Sequence, residues 1–128
     1  MAKSSKSNKR SFGGWGETVA GEYLEKNGYQ IVARNYHCRV GEIDLIAKDG
    51  PVWCFIEVKT RRGPDFGYGY ESITSVKQKH LVKAALTYLN AAGLWEAPAR
   101  FDVVSIDFIT ETDYRISLLK NAFTPESR

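Results

Sequence analysis

Residues 41–62 read GEIDLIAKDGPVWCFIEVKTRR, and this stretch determines how the rest of the chain must be arranged. Apolar residues alternate with other side chains on both sides of residues 48–51, with the period of two that is typical of β-strands. The sequence KDGP at residues 48–51 has the composition of a tight turn, so the stretch predicts a β-hairpin. Asp44, Glu57 and Lys59 place charge within both strands, which is a pattern typical of functional sites.

The register of this hairpin decides which acidic side chains meet. A two-residue loop at 50–51 places Asp44 directly opposite Glu57. A loop at 49–50 instead makes Glu57 a diagonal neighbour of Asp44 on the facing strand. In both registers the two carboxylates share a face, because only a one-residue slip reverses the direction of the side chains. Opposed residues have Cβ atoms roughly 4.5–5.5 Å apart, which lets two carboxylates hold one hard cation. Lys59 follows Glu57 by two residues and lies on the same face.

Composition indicates one ordinary globular domain. The chain has 128 residues, of which 43% are hydrophobic and 26% charged. It contains no apolar run of the roughly 18 residues that a membrane helix needs, and its N-terminus lacks the apolar segment of a secretion signal, so we expect a cytoplasmic protein with no membrane partner. Cys38 and Cys54 have no metal-binding spacing and are expected to be reduced thiols.

The net charge is concentrated at the N-terminus. Residues 1–12 contain four basic residues and no acid, so removing this +4 from the formal net charge of +3 leaves −1 for the remainder. We expect residues 1–12 to form a disordered basic arm that either contacts phosphates or only aids solubility. Residues 13–123 are expected to form the single domain, and residues 124–128 a frayed tail. A net charge of −1 for the chain without its first twelve residues favours local basic patches over a broad basic surface.

Helices and further strands are predicted around the hairpin. Gly28 and Gly93 follow two segments of helical periodicity and are expected to end them. In the second of these segments the apolar stripe includes Val76 and His80. The strand after that helix is reached by a helical crossover and should run parallel to the second hairpin strand. The predicted elements are helices at 14–27 and 73–92 and strands at 29–36, 100–109 and 114–119.

Basic and aromatic residues near the hairpin are candidates for contacts with nucleic acid. Arg34, Arg39, Arg61 and Arg62 are placed to meet phosphates, or else are ordinary surface arginines. Residues 63–72 interleave aromatic rings with glycine and proline. These rings either stack on exposed bases or pack against the domain.

An Asp on one strand followed by Glu-x-Lys on the next is the arrangement of the PD-(D/E)xK nuclease site. The chain as a whole resembles the YraN family, small bacterial proteins regarded as predicted endonucleases and similar in fold to archaeal Holliday-junction resolvases. The likeness runs from Gly14 to about Phe123. It is carried by Gly16-Glu17, Ala20, Tyr23-Leu24, Gly28-Tyr29, Arg34-Asn35, residues 41–47 and 55–61, Lys79, Ala85, Tyr88-Leu89 and residues 100–104.

The resemblance implies a fold and further site residues. The implied fold is α/β, with a restriction-endonuclease-like αβββαβ core whose mixed central sheet is flanked by two helices. The resemblance points Glu17 toward the metal site, where it would bind a second cation or position water; from the residues alone, Glu17 is a first-turn acid that favours the helix dipole. It also implies that Gln78 or Lys79 faces the site. Asp102 is interpreted as a structural or surface acid.

The expected reaction is metal-assisted hydrolysis of a phosphodiester bond. Asp44, Glu57 and the Val58 carbonyl are expected to bind Mg²⁺ or Mn²⁺, since hard cations prefer oxygen ligands. Lys59 would orient the attacking water or stabilise negative charge on the phosphate, and Glu17 would assist. The alternative for the hairpin charges is an exposed ion network on a solvated sheet face, but the nearby apolar side chains of that face, Ile46, Trp53 and Phe55, indicate partial burial.

Two classes of function remain open. The first is an endonuclease that acts on structured or branched DNA, for which a homodimer would cut two strands symmetrically. The second is a nucleic-acid-binding or accessory module that retains the nuclease fold without significant catalysis. Intact Asp44, Glu57 and Lys59 favour the first class, and the nearly neutral body favours weak or partner-dependent binding.

Overall fold

The computed structural model describes residues 11–62 and 73–125, which form one mixed five-stranded sheet with a helix packed on each face. The expectations for residues 1–10, 63–72 and 126–128 therefore lie outside the described residues. The order of the elements confirms the predicted αβββαβ core, to which one further strand is added. The elements are α1 (Ser11–Lys26), β1 (Gln30–Cys38), β2 (Gly41–Asp49), β3 (Val52–Arg62), α2 (Ser75–Ala91), β4 (Ala99–Phe108) and β5 (Tyr114–Phe123).

The alternation along β3 divides the core into two layers. Ile56 and Cys54 are buried with α1, whereas Phe55 between them is buried with α2. Successive side chains of a strand point to opposite faces, so one strand contributes to both layers. The layer under α1 contains Val19, Ala20, Leu24, Leu45, Val104 and Ile106, and the layer under α2 contains Ile46, Leu81, Ala84, Ala85, Phe101 and Val103.

The β2–β3 hairpin adopts the first of the two predicted registers. Asp49 pairs with Val52 and Leu45 pairs with Ile56, so the loop consists of Gly50 and Pro51. Gly50 has a φ of 63°. Since Pro51 is restricted to negative φ, the pair suits a type II′ turn, in which glycine occupies the first central position. β3 then pairs in parallel with β4, which confirms the predicted crossover arrangement.

Several predicted boundaries are wrong by a few residues. α1 begins at Ser11 and so includes the last two residues of the predicted arm. β1 continues to Cys38, and β5 continues to Phe123 rather than ending at Leu119. The reason at β5 is a local irregularity, because the β4–β5 register shifts and Asn121 takes a left-handed φ of 55° before pairing resumes at Phe123.

The apolar stripe predicted for α2 is wrong at two positions. Val76 is 64% exposed and His80 is also exposed, whereas Ile73 just before α2 and Leu81 and Ala84 within it are buried. α2 contacts chiefly β2, so only part of its circumference is covered by the sheet. Val76 and Leu86 therefore face outward.

A buried polar network joins β4 to its neighbours on the α1 side of the sheet. Asp102 is 1% exposed and accepts hydrogen bonds from Arg100 Nε (2.9 Å), Tyr29 Oη (3.2 Å) and the Asn121 backbone N–H (2.9 Å). Arg100 also pairs with Asp49 Oδ2 at 2.8 Å. Asp102 is therefore a structural acid rather than a surface one, which were the two interpretations that the sequence left open.

The described residues also define the state of the two cysteines and the character of the two helices. Cys38 and Cys54 are both free thiols, and burial raises the pKa of Cys54 to about 12, which keeps it protonated at neutral pH. Within residues 11–62 and 73–125, neither helix has the length and apolar character required to cross a membrane.

Candidate active site

Asp44 and Glu57 meet at the point where the β2–β3 ladder ends. The last paired residues are Leu45 and Ile56, and in the same register the next two are Asp44 and Glu57. Asp44 Oδ2 accepts a hydrogen bond of 2.8 Å from the backbone N–H of Val58. A side-chain carboxylate thus continues the contact between the strands and holds Asp44 beside the strand that carries Glu57.

The electrostatics of this pair disfavour two negative charges. Burial and the charge of Glu57 raise the pKa of Asp44 to about 7, and Glu17 adds to the effect. The Val58 N–H and Lys77 act in the opposite direction. Two carboxylates in a partly desolvated position are stabilised by sharing a proton or by binding a cation. The donor set therefore fits a hard divalent ion.

Lys77 of α2 forms an ion pair with Glu57. Its Nζ lies 2.9 Å from Glu57 Oε2, and this hydrogen bond raises the pKa of Lys77. The Glu57 side chain is 11% exposed, whereas that of Lys77 is 52% exposed. Thr74, the N-cap of α2, accepts a hydrogen bond of 3.2 Å from the Lys77 backbone N–H and so anchors this turn of the helix.

The sequence reasoning missed Lys77 as a site residue. The resemblance pointed to its neighbours, but Gln78 Nε2 donates to the Ile73 carbonyl at 2.8 Å, and Lys79 is exposed. A signal was present in the sequence, because Lys77 is a cation in the first turn of a helix, where the dipole favours anions. Such a position suggests that an acidic group lies nearby.

The remaining predicted catalytic residues lie around the pair. Lys59 is half-buried and follows Glu57 on the same face of β3. Glu17 of α1 is half-buried and close enough to Asp44 to affect its pKa. Within the part of the chain that the structure describes, no group of three or more His, Cys, Asp or Glu side chains is arranged to hold a metal ion. The central donors are thus the two hairpin carboxylates.

The four predicted arginines are distributed over different surfaces. Arg34 packs against α1, since a Cβ on Gly21 would lie 2.7 Å from its Nη1, so it lies on the opposite face of the sheet from Glu57. Arg39 is exposed in the turn between β1 and β2. Arg61 and Arg62 end β3, and the alternation of the strand places Arg61 on the face of Glu57.

An open groove with basic residues runs along α2. It has a volume of about 530 Å³ and lies between α2 and the end of β5. Lys79 and Lys83 line its helix side, and Phe123 and Pro125 line its other side. The groove therefore brings Lys79 together with a second lysine rather than with the carboxylates.

Comparison with known proteins identifies close relatives. The model of the uncharacterised protein family UPF0102 matches residues 16–106. A UPF0102 protein of Caldicellulosiruptor saccharolyticus is 44% identical, over 91% of this chain and 99% of that protein. A UPF0102 protein of Symbiobacterium thermophilum is 46% identical, over 89% of this chain and 97% of that protein. Among solved structures, Pyrococcus furiosus SfsA in complex with Ca²⁺ matches with a TM-score of 0.40 and 12% identity, over 88% of this chain and 63% of that one.

Proposed function

This chain belongs to the uncharacterised protein family UPF0102, and on that premise we propose that it is a divalent-metal-dependent endonuclease that hydrolyses phosphodiester bonds in structured or branched DNA. One observation carries the proposal. Asp44 and Glu57 adjoin each other on neighbouring strands, in a partly buried position that raises the pKa of Asp44, and Lys59 follows on the same face. A purely structural surface ion network does not require two adjacent acids to be withdrawn from water.

The hairpin supplies the ligands for the metal. Asp44 and Glu57 would hold Mg²⁺ or Mn²⁺ together with the carbonyl of Val58, whose N–H fixes the orientation of Asp44. When bound, the ion supplies Lewis-acid stabilisation of charge on the phosphate and lowers the pKa of water.

Two further residues, Lys59 and Glu17, take part by stabilising charge and by positioning water. Lys59 would stabilise the negative charge that develops on the phosphate, or orient the attacking water, because it follows Glu57 by two residues on the same face of β3. Glu17, which is close enough to Asp44 to influence its pKa, positions water at the α1 side of the site.

Basic residues at the end of β3 and along α2 bind the substrate backbone in this proposal. Arg61 and Arg62 extend β3 beyond Lys59, and the groove along α2 adds Lys79 and Lys83. Such phosphate contacts are independent of base sequence, as expected for an enzyme that recognises DNA shape. A homodimer would present two such sites to two strands.

The alternative function is a nucleic-acid-binding or accessory module without significant catalysis. The ammonium group of Lys77 already pairs with Glu57, and the described residues provide two central carboxylates rather than a group of three metal-binding side chains. Both observations favour weak metal binding, and a protein that binds metal weakly can retain DNA binding without turnover.

A cleavage assay with matched variants tests the proposal. Linear duplex, flapped and four-way-junction DNA would be incubated with Mn²⁺ and wild type, Asp44→Asn, Glu57→Gln or Lys59→Met. We expect each of these substitutions to lower the cleavage rate by on the order of 100-fold or more. Glu96→Gln, which alters an exposed acid in the loop between α2 and β4, is the control and should cleave like wild type. Equal cleavage by wild type, Asp44→Asn and Glu57→Gln would reveal a contaminant or another site and end the proposal.

A further inference from the structure

Lys77 is placed where the helix alone would not favour it. It is the third residue of α2, and no acidic residue occupies the first turn of that helix. The positive end of the helix dipole repels a cation at this position. The compensation comes from outside the helix, through the contact of 2.9 Å between Lys77 Nζ and Glu57 Oε2.

The two partners of this ion pair differ in their access to solvent. Glu57 is almost buried, with 11% of its side chain exposed, and depends on a partner for its charge. Lys77 is 52% exposed, so its ammonium group can exchange this contact for water at small cost. The pair can therefore separate when another cation takes over the carboxylate.

We propose that Lys77 is a resident cation of the Asp44–Glu57 pair, which competes with the divalent metal for Glu57 and thereby sets how tightly the metal binds. This inference rests on the proposed function, since it assumes that the metal binds at these carboxylates. Lys77 holds Glu57 in the metal-free protein and leaves it when the metal binds. The consequence is a site that resists loading at low metal concentration.

The sign of one measurement separates competition from a structural role. If Lys77 only orients Glu57 for the metal, removing its ammonium group loosens the ligand and weakens metal binding. If Lys77 competes, the same substitution leaves the carboxylates without compensation and strengthens metal binding. Metal affinity measured without DNA gives this sign independently of any cleavage activity.

The experiment is calorimetric titration of the full chain with MnCl₂. We expect Lys77→Met to bind Mn²⁺ about 5-fold more tightly than wild type, as the loss of a partly exposed ion pair implies. Lys26→Met removes the same charge from an exposed position at the end of α1 and should stay within about 2-fold of wild type. Lys77→Arg keeps the cation and should bind no more tightly than wild type. In the Glu57→Gln background, substituting Lys77 should no longer strengthen binding.

Each outcome decides the inference. If Lys77→Met, folded by circular dichroism, binds Mn²⁺ with equal or lower affinity than wild type, the inference is overturned while the proposed function stands. If neither wild type nor Lys77→Met binds Mn²⁺, both fail. If Lys77→Met does not fold, Lys77→Gln is measured in its place. The inference is overturned if Lys77→Gln binds Mn²⁺ no more tightly than wild type. If Lys26→Met bound Mn²⁺ as tightly as Lys77→Met, the effect would be one of general charge, and the inference would likewise be overturned.

Discussion

Asp44 lies at a point in the sheet where burial and the neighbouring Glu57 both disfavour its ionised form and raise its pKa to about 7. A divalent ion binds the carboxylate and not the carboxylic acid, so metal binding must displace a proton below that pH. We expect Mn²⁺ affinity to rise with pH up to about 7 and to level off above it. Calorimetric titrations in two buffers of different ionisation enthalpy should show roughly one proton released per bound ion at pH 6 and almost none at pH 8.5. An affinity that is constant from pH 5.5 to 8.5 would contradict the assignment of Asp44 as a ligand.

The same pKa shift makes the stability of the metal-free protein depend on pH. The carboxyl of Asp44 ionises near 3.9 in an unfolded chain, and its pKa is raised to about 7 in the folded one. The folded state therefore binds this proton more tightly, and the resulting stabilisation is present below about pH 4 and is lost as pH rises through about 7. In urea denaturation with EDTA, we expect the unfolding free energy of wild type to fall relative to that of Asp44→Asn by about 1–3 kcal/mol between pH 5 and 8. A difference that does not change over this range refutes the shift.

At the scale of elements, the first turn of α2 connects helix stability to the site. Thr74 caps the helix through its hydrogen bond with the backbone N–H of Lys77. Loss of an N-cap side chain costs about 1 kcal/mol, so we expect Thr74→Ala to lower the unfolding free energy by that amount. Thr74→Ser keeps the accepting oxygen and should remain within about 0.5 kcal/mol of wild type. Urea denaturation measures both, and equal losses in the two variants would show that the hydrogen bond is unimportant.

The packing of α1 on β3 depends on a glycine one residue before Glu17. A Cβ at Gly16 would collide with Thr60 Cγ2. Although alanine is the better helix former, we expect Gly16→Ala to lower the unfolding free energy by about 1 kcal/mol, because overpacking outweighs helix propensity here. Thr60→Ser removes the colliding methyl group, so the double variant should recover most of the loss in urea denaturation. If the double variant is no more stable than Gly16→Ala, the loss of stability does not arise from contact with Thr60.

The periodicity of apolar residues and the composition of turns predicted the helices and strands well. They predicted contacts between distant helices and strands less well. The hairpin and its register follow from local chemistry, since Gly50-Pro51 suits a two-residue turn and alternation assigns the faces. The part played by Lys77 depends on where α2 crosses the sheet, which no local pattern determines. Val76 is exposed for the same reason, since the position at which α2 crosses the sheet decides which of its residues are covered. The extension of β5 depends on Asn121 and its bond to Asp102, a contact between residues 19 positions apart.

For the whole molecule, the Asp102 network and the carboxylate of Glu57 lie on opposite faces of the sheet. Asp102 and its partners stabilise the α1 side, where Asp102 is paired in register with Ile56. The carboxylate of Glu57, one residue further along β3, lies on the α2 side with Lys77. Because adjacent residues of a strand point in opposite directions, the stabilising network and the candidate site can be close in sequence without sharing atoms.

This separation predicts opposite effects for two similar substitutions. Asp102→Asn removes the charge that Arg100 and Tyr29 bind in a buried position, and should lower the unfolding free energy by about 3 kcal/mol. The folded variant should still bind Mn²⁺ within about 2-fold of wild type, since its substitution faces away from the ligands. Asp44→Asn removes a carboxylate from an unfavourable position, so it should abolish Mn²⁺ binding while leaving metal-free stability at pH 8 unchanged or increased. Urea denaturation paired with calorimetry on both variants tests the separation, and a large change in the Mn²⁺ affinity of Asp102→Asn would mean that the two faces are coupled through β3.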